Sequence, residues 1–387
     1  DVYKRQPRIL VGDFDRPNLT YRVLPRVNLR GQVLQVLERH QHEAVICYCI
    51  TRAETERISQ YLVNQGVRAA PYHAGMDKGA RDANQYIFMT EPGVVIVATI
   101  AYGMGIDKSD VRFVFHADLP ASLEAYYQEI GRAGRDGQPA EAHMLYGLGD
   151  IRMRRLFIEQ EAAGEERKRR EHRRLDALLG FCESSTCRRC ILLDSFGEAT
   201  AACGNCDACL EPVEMVDGTG EGQKILSAVH QTGQRFGAVH IIDVLRGQMT
   251  EKVTAAGHDR LASFGVGAEH KKEQWRSMIR QLVSAGFLHL DVQGYGGLTI
   301  TEKGQGLLRG DEAFQYRQDT LRRAAPPGRQ RRKAALIAEL STAETTILET
   351  LKALRLRLAK ERGVPAYVVF SDKSLADMAQ RQPRNAA

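Results

Sequence analysis

The chain has 387 residues, 43% of them apolar and 26% charged, with a formal net charge of +6. That length accommodates two to four domains with their own cores, no apolar run reaches the roughly 18 residues of a membrane span, and no secretory leader is visible. The charge is modest for a nucleic-acid-binding protein, so local clustering has to carry any such argument.

In chain order, Asp1–Gln6 matches nothing and does not begin with Met; it reads as a scar outside the fold. Strands are then predicted at Val45–Cys49, Ala69–Tyr72, Val94–Ala98, Val111–Phe115 and Ala142–Tyr146, with helices at Arg52–Gln65 and Lys78–Thr90. The two Val-rich runs at 94 and 111 are continuously apolar, as strands buried on both faces are. Repeated strand–helix–strand units imply a parallel sheet with right-handed crossovers, and in such sheets ligands gather at the carboxyl ends of the strands. Three segments fall there: Tyr48-Cys-Ile-Thr51-Arg52, Tyr72-His73-Ala-Gly75 and Thr99–Asp107, the last with Gly103 and Gly105.

Ser122 is the expected N-cap of a further helix. On it Gln128, Arg132 and Arg135 would stand at i, i+4 and i+7 and share one face. Gly131 and Gly134 would each cost about 1 kcal/mol in a helix interior, a cost tolerated where something approaches the backbone closely. Two guanidiniums flank them, and guanidinium forks onto phosphate oxygens in a planar, bidentate way. The chemistry expected is stabilisation of charge on a transferring phosphoryl group.

Asp150–Leu179 reads as a charged helical hairpin. Six of the eight cysteines lie between 182 and 209, and without a secretory context metal binding is the default over disulfides, in keeping with a reducing cytoplasm. Cys187-x15-Cys203-x2-Cys206-x2-Cys209 offers four thiolates for a closed tetrahedral zinc site. Cys187-x2-Cys190 is also a ligand spacing, so Cys190 competes with Cys187. Helices near 222–231, 237–246 and Lys271–Ala285 precede a hairpin of Phe287–Leu290 with Leu298–Thr301, the order of a winged helix. Lys271, Lys272, Arg276 and Arg280 around Trp275 suit phosphate contact and base stacking, and the same helix would bury Trp275, Ile279 and Leu282. Residues 317–333, with seven Lys or Arg against Asp319, read as a solvated basic linker. Ala334–Arg362 is helical by the recurrence of Leu336, Leu340, Ile347, Leu351, Leu354 and Leu358.

Ala98-Thr99, Tyr102-Gly-Met-Gly-Ile-Asp107 and Gln128-Glu-Ile-Gly-Arg-Ala-Gly-Arg-Asp-Gly137 resemble motifs V and VI of the RecQ family of DNA helicases, and the resemblance extends over nearly the whole chain. It implies a multidomain protein: a second RecA-like α/β lobe (1–150), a helical hairpin and four-cysteine zinc module (151–212), a winged helix (213–316), the basic linker, and an incomplete helical HRDC domain (334–387). It implies Arg132, Arg135 and Gln128 as the catalytic group, and Thr99, Gly103, Gly105 and Asp107 as the coupling between nucleotide and DNA. Thr51, Arg52, His73, His258, Lys271, Arg276 and Tyr295 become DNA contacts, Tyr295 as a strand-separating pin or a plain turn residue. Ile50 departs from the family, where a polar residue is usual. The resemblance also selects Cys187 over Cys190, because the family ligand directly precedes Arg-Arg.

Such a helicase uses ATP and Mg²⁺, held by a first lobe with a phosphate loop and an acidic box. The chain contains no Gly-Lys pair, and its Asp311-Glu312 follows no buried strand. It therefore reads as the C-terminal part of the enzyme, inactive as an ATPase alone, whose partners are that first lobe and single-stranded or forked DNA. The setting expected is the bacterial cytoplasm, at the nucleoid, with no membrane. A zinc and winged-helix regulator, or half of an RNA helicase, are the competing readings.

Overall fold

In a computed structural model of the chain, the described residues are 14–40, 42–103, 108–291, 296–318, 342–362, 364, 366–370 and 372–382. Six parallel strands, β1 (Leu19–Pro25), β2 (Ala44–Tyr48), β3 (Ala69–Tyr72), β4 (Val95–Ala98), β5 (Val111–His116) and β6 (Ala140–Tyr146), form one sheet in the order β1-β6-β5-β2-β4-β3. Every residue of β2, β4, β5 and β6 is buried, which is why β2 and β4 carry continuous apolar runs instead of alternation, while the buried Glu141 and His143 of β6 pair with each other at 3.0 Å. Helices α1 (Leu29–Leu37), α2 (Arg52–Asn64), α3 (Lys78–Thr90) and α4 (Leu123–Ile130) connect them. Each begins at a side-chain cap: Asn28, Thr51, Asp77 and Ser122 accept from the backbone N–H three residues on.

The helix expected to carry Gln128, Arg132 and Arg135 on one face is shorter than the spacing predicts. It ends at Ile130 with Gly131 as its cap, and Arg132 and Arg135 stand in the turns beyond it. Two groups take the carbonyls that a longer helix would have used. Arg16 donates to the Ala133 and Gly134 oxygens at 2.9 Å each, and Asn18 Nδ2 donates to the Gly134 oxygen at 2.9 Å and to the Gln138 oxygen at 2.8 Å. Gly134 has φ +58°, and a Cβ there would lie 2.4 Å from Asn18 Nδ2 and 2.8 Å from the Gln138 oxygen. Glycine is required by the reversal itself.

β1, which sequence patterning did not reveal, is an edge strand whose free side is covered. Tyr21 bridges to Cys206, the Val23 N–H donates to Asp207 Oδ2 at 2.9 Å, and Arg22 pairs with Glu211 at 2.9 Å. The covering residues belong to a module of α5 (Leu148–Gln160), α6 (Glu165–Glu183), α7 (Arg188–Asp194) and α8 (Asp207–Leu210). Arg188 and Arg189 are 1% and 4% exposed. Arg188 pairs with Asp207 at 2.9 Å, and Arg189 donates to the Leu19 oxygen at 2.7 Å while lying over the Tyr21 ring.

The next unit runs through β7 (Met215–Asp217), α9 (Thr219–Gln231), α10 (Ala238–Leu245), α11 (Glu251–Ala255), α12 (Lys272–Ser284), the antiparallel pair β8 (Leu288–Leu290) and β9 (Leu298–Ile300), α13 (Glu302–Arg309) and β10 (Gln315–Arg317). β10 pairs antiparallel with β7, so Arg317 is a buried strand residue and not the start of a solvated linker; residues 319–341 lie outside the described set. Trp275 is buried, its indole N–H donating to the Gly267 oxygen at 2.8 Å. Arg280, offered by the sequence as a DNA contact, instead faces the first unit. It pairs with Glu183 of α6 at 2.7 Å and lies over the Tyr146 ring at 4.8 Å, and Arg317 approaches the same carboxylate at 3.8 Å. Buried guanidinium goes to buried carboxylate because an unpaired charge there is far costlier than the lost exposure.

Helices α14 (Thr342–Arg362), α15 (Ala366–Val369) and α16 (Asp372–Arg381) close the chain, with Ala359, Leu375 and Ala379 buried. Leu336 and Leu340 of the expected helix lie outside the described residues. No helix among the described residues is long and apolar enough to cross a membrane.

Two stability tests follow from these contacts. Gly134→Ala strains a left-handed residue against Asn18 and should lower the thermal stability of the sheet unit by about 1–3 kcal/mol, read by calorimetry. Glu183→Gln leaves Arg280 and Arg317 facing a neutral amide and should cost about 3 kcal/mol or more, read as a separate, lower unfolding transition for residues 215–317.

Candidate functional site

The strands β2, β4 and β3 are neighbours and run the same way, so their carboxyl ends lie side by side. After β2 comes Thr51, whose hydroxyl accepts the Glu54 N–H at 3.1 Å as the cap of α2, followed by the exposed Arg52. His73 follows β3. It is buried, with Nε2 3.0 Å from the Glu56 carboxylate and Nδ1 without a protein partner. A Cβ on Gly75 would stand 3.0 Å from the Arg52 guanidinium and 3.2 Å from His73 Nδ1, so a larger residue there would press on both groups. Thr99 follows β4, half-buried, and its N–H donates to the Tyr72 oxygen at 3.2 Å, locking the β3 and β4 ends together. Gly103 ends the turn Ile100–Gly103, while Gly105 and Asp107 lie outside the described residues.

Arg132 is half-buried beside the Tyr48 hydroxyl at the end of β2, and Arg135 acts on the same phenol from farther off. Burial pushes the Tyr48 phenol up and Arg132 opposes that rise; Tyr102, from the turn after β4, is raised in the same way by burial, then by Tyr48 and Tyr72, against Arg132. The Tyr48 and Tyr102 hydroxyls and Arg132 Nε are all buried here, with the Arg132 guanidinium turned to the Tyr48 phenol. Arg135 is exposed, its Nε donating to the Gly131 oxygen at 3.3 Å, and Gln128 is exposed on the last turn of α4.

A polar network backs this edge. Asp118 accepts from the Ile50 N–H at 2.9 Å and from Arg26 at 2.7 Å, and Arg26 also binds Asp150. Burial, opposed by Arg26 and reinforced by Asp118, raises the Asp150 carboxyl to about 7. His116 Nε2 meets the Glu129 carboxylate at 2.7 Å.

The four sulfurs of Cys187, Cys203, Cys206 and Cys209 lie within 4.8 Å of one another. Cys190 is outside that group; its thiol donates to the Thr200 oxygen at 3.4 Å. Backbone N–H groups of Cys203, Asn205 and Arg188 point at the sulfurs of Cys187, Cys203 and Cys206 at 3.3–3.4 Å, as donors to thiolate do. Burial raises the Cys187 thiol, but the N–H groups of Cys203 and Cys190 outweigh it and bring it down to about 6. Four convergent thiols with donor-supported charge fit a tetrahedral, closed zinc centre.

The expected DNA contacts are spread more widely. Lys271 is the exposed cap residue of α12, and Arg276 lines a cavity of about 770 Å³ together with Arg26, Arg152 and Lys252. His258 is 7% exposed and its Nδ1 sits 2.7 Å from His240 Nε2; burial lowers both rings. That ring is committed to the interior, so it departs from its expected role at the surface. Tyr295 lies outside the described residues. Sequence reasoning missed Arg16 and Asn18, which hold the turn carrying the arginines, and Arg188, Arg189 and Asp207, which seat the cysteine module. Their only local sign was Asp-Arg-Pro-Asn ahead of a strand and Arg-Arg after a cysteine.

Known protein families match this arrangement domain by domain. The helicase conserved C-terminal domain matches residues 29–137, the RecQ zinc-binding domain 148–210, the RQC domain 212–325 and the HRDC domain 344–387. The ATP-dependent DNA helicase RecQ of Pasteurella multocida (strain Pm70) is 38% identical over 389 residues, covering 99% of this chain and 60% of that protein. Its namesake in Haemophilus influenzae is 38% identical over 379 residues, 96% of this chain and 60% of that protein. The Bacillus subtilis (strain 168) protein of the same name is 35% identical over 373 residues, with the same coverages of 96% and 60%. The chain thus spans about 60% of the length of the curated relatives it matches. With four domains in this order and this level of identity along its length, the chain belongs to the RecQ family.

Proposed function

We propose that this chain supplies the second motor lobe and the DNA-handling units of an ATP-dependent DNA helicase that unwinds duplex 3′-to-5′ in repair and recombination. The observation that carries the reading is the position of Arg132 and Arg135 beside Tyr48 at the carboxyl edge of the sheet, next to the strand ends bearing Thr51, Arg52, His73 and Thr99. Guanidiniums at that edge suit a triphosphate presented by a partner lobe, where they stabilise charge developing on the γ-phosphoryl. ATP with Mg²⁺ supplies the phosphoryl group and its counter-charge; the 387 residues contain no phosphate loop for it.

Gln128 senses that nucleotide, and the Thr99 segment passes lobe closure to the strand grip formed by Thr51, Arg52 and His73. Gly103, Gly105 and Asp107 complete that segment. The cavity lined by Arg152, Lys252 and Arg276 as well as Asp150 and Glu273, together with Lys271 at the start of α12, receives duplex phosphates ahead of the motor. His258 supports this surface from within through His240, and Tyr295 divides the strands. Cys187, Cys203, Cys206 and Cys209 hold a structural Zn²⁺ whose binding free energy keeps the module folded against β1. The setting is the bacterial cytoplasm, on DNA.

The 387-residue chain by itself should show no DNA-stimulated ATP hydrolysis. Fused to a phosphate-loop lobe from a RecQ relative it should gain that activity, and Arg132→Ala or Arg135→Ala should then lower kcat by about 10³-fold or more with DNA affinity retained. A DNA-binding regulator would show no such dependence, which separates the two readings in one assay. Stripping the metal with a chelator should unfold residues 187–210, seen as new proteolytic cuts there. It should also bare the β1 edge, so the metal-free protein should aggregate where the zinc-loaded one does not.

A further inference from the structure

The cysteine cluster holds a fifth sulfur that the zinc site does not use. Cys187 caps α7 and Cys190 lies one turn along it, so the two side chains share a face. One loop passes over both: the Thr200 oxygen accepts from Cys190 Sγ at 3.4 Å, and the Cys203 N–H donates to Cys187 Sγ at 3.3 Å. Cys190 is half-exposed, whereas Cys206 is buried. A Cys-x-x-Cys pair at the start of a helix has the separation that a disulfide needs. Of the sulfurs outside the four-ligand group, Cys47 and Cys49 are buried in the sheet and Cys182 in the core, where burial raises its thiol; none of them meets the cluster.

We propose that Cys187 and Cys190 form a thiol modification site, in which hydrogen peroxide converts the pair to a disulfide and the module gives up its metal. One peroxide oxygen transfers to the Cys187 sulfur, its O–O bond breaks, and the departing hydroxide leaves as water after taking a proton. The Cys187 sulfur is then a sulfenic acid. The Cys190 sulfur attacks it; the S–S bond forms, the S–O bond breaks, and hydroxide departs with the Cys190 proton as a second water. In sum two thiols and one peroxide give one disulfide and two waters, with two electrons passing from sulfur to oxygen. Cys187 can no longer ligate, and three thiolates remain at a centre built for four. Because the seat of Cys206 bridges to Tyr21, metal loss also frees the edge of the sheet.

This inference rests on the four sulfurs being the zinc site, and the experiment separates failure of that reading from failure of the inference. The purified full chain is first assayed for zinc, then titrated with hydrogen peroxide while released zinc is followed with a colorimetric chelator and disulfides are mapped by peptide mass. Zinc should leave in step with a Cys187–Cys190 disulfide, and dithiothreitol with added zinc should restore it. Cys190→Ser keeps all four ligands and should fold and load zinc normally. In that variant peroxide should drive Cys187 to sulfinic acid, and restoration by dithiothreitol should be lost. A disulfide joining Cys187 to Cys203, Cys206 or Cys209, or a C190S chain restored as fully as the parent, overturns the inference while leaving the zinc site standing. A chain that purifies folded without zinc overturns both.

Discussion

A parallel sheet with a bare edge is an invitation to aggregate, and the folding of this chain turns on how that edge is closed. β1 is an edge strand whose outer side would expose its polar backbone. The cysteine module covers it through the Tyr21–Cys206 bridge, the Val23 N–H on Asp207, and the Arg189 guanidinium on the Leu19 oxygen. Asp207 does two things at once, since it also neutralises the buried Arg188. Zinc thereby stabilises more than a knuckle: the ligand Cys206 is itself part of the sheet's closure.

The same pairing of buried charge joins the winged helix to the rest. Glu183 at the end of α6 meets Arg280 from α12 and Arg317 from β10, with Tyr146 of β6 beneath. Three units converge on one carboxylate. Such a joint gives orientation more than stability, because the desolvation of its members offsets most of their attraction. The cavity lies between those units, lined by Arg26 and Arg152 from one side and Lys252 and Arg276 from the other.

Much of the candidate site could be read from the chain. The strand ends bearing Thr51 and Thr99 follow from apolar runs of strand length, because β2 and β4 are buried along their whole length, and the end bearing His73 follows from the short half-buried run before it. Spacing offered the cysteine cluster with Cys190 as a rival to Cys187, the family resemblance chose Cys187, and the Cys190 thiol indeed turns to the Thr200 oxygen outside the group of four. The placement of Arg132 and Arg135 did not follow. Periodicity carried the helix through Gly131 and Gly134, but Arg16 and Asn18, more than a hundred residues earlier, take the carbonyls of that turn and end it. Arg280 was read as a DNA contact from its residue type and His258 from the family resemblance, and both side chains are inside with a partner.

The sequence by itself determined five of the six strands of the sheet and the motif order, because each depends on neighbours close along the chain or on composition alone. The tertiary structure decided which charged side chains serve the fold and which remain free to meet a ligand. A guanidinium carries the same local signature in both roles. Only the carboxylate or carbonyl it meets from a distant segment, and the water it loses on the way, separates Arg188 and Arg280 from Arg132 and Arg276.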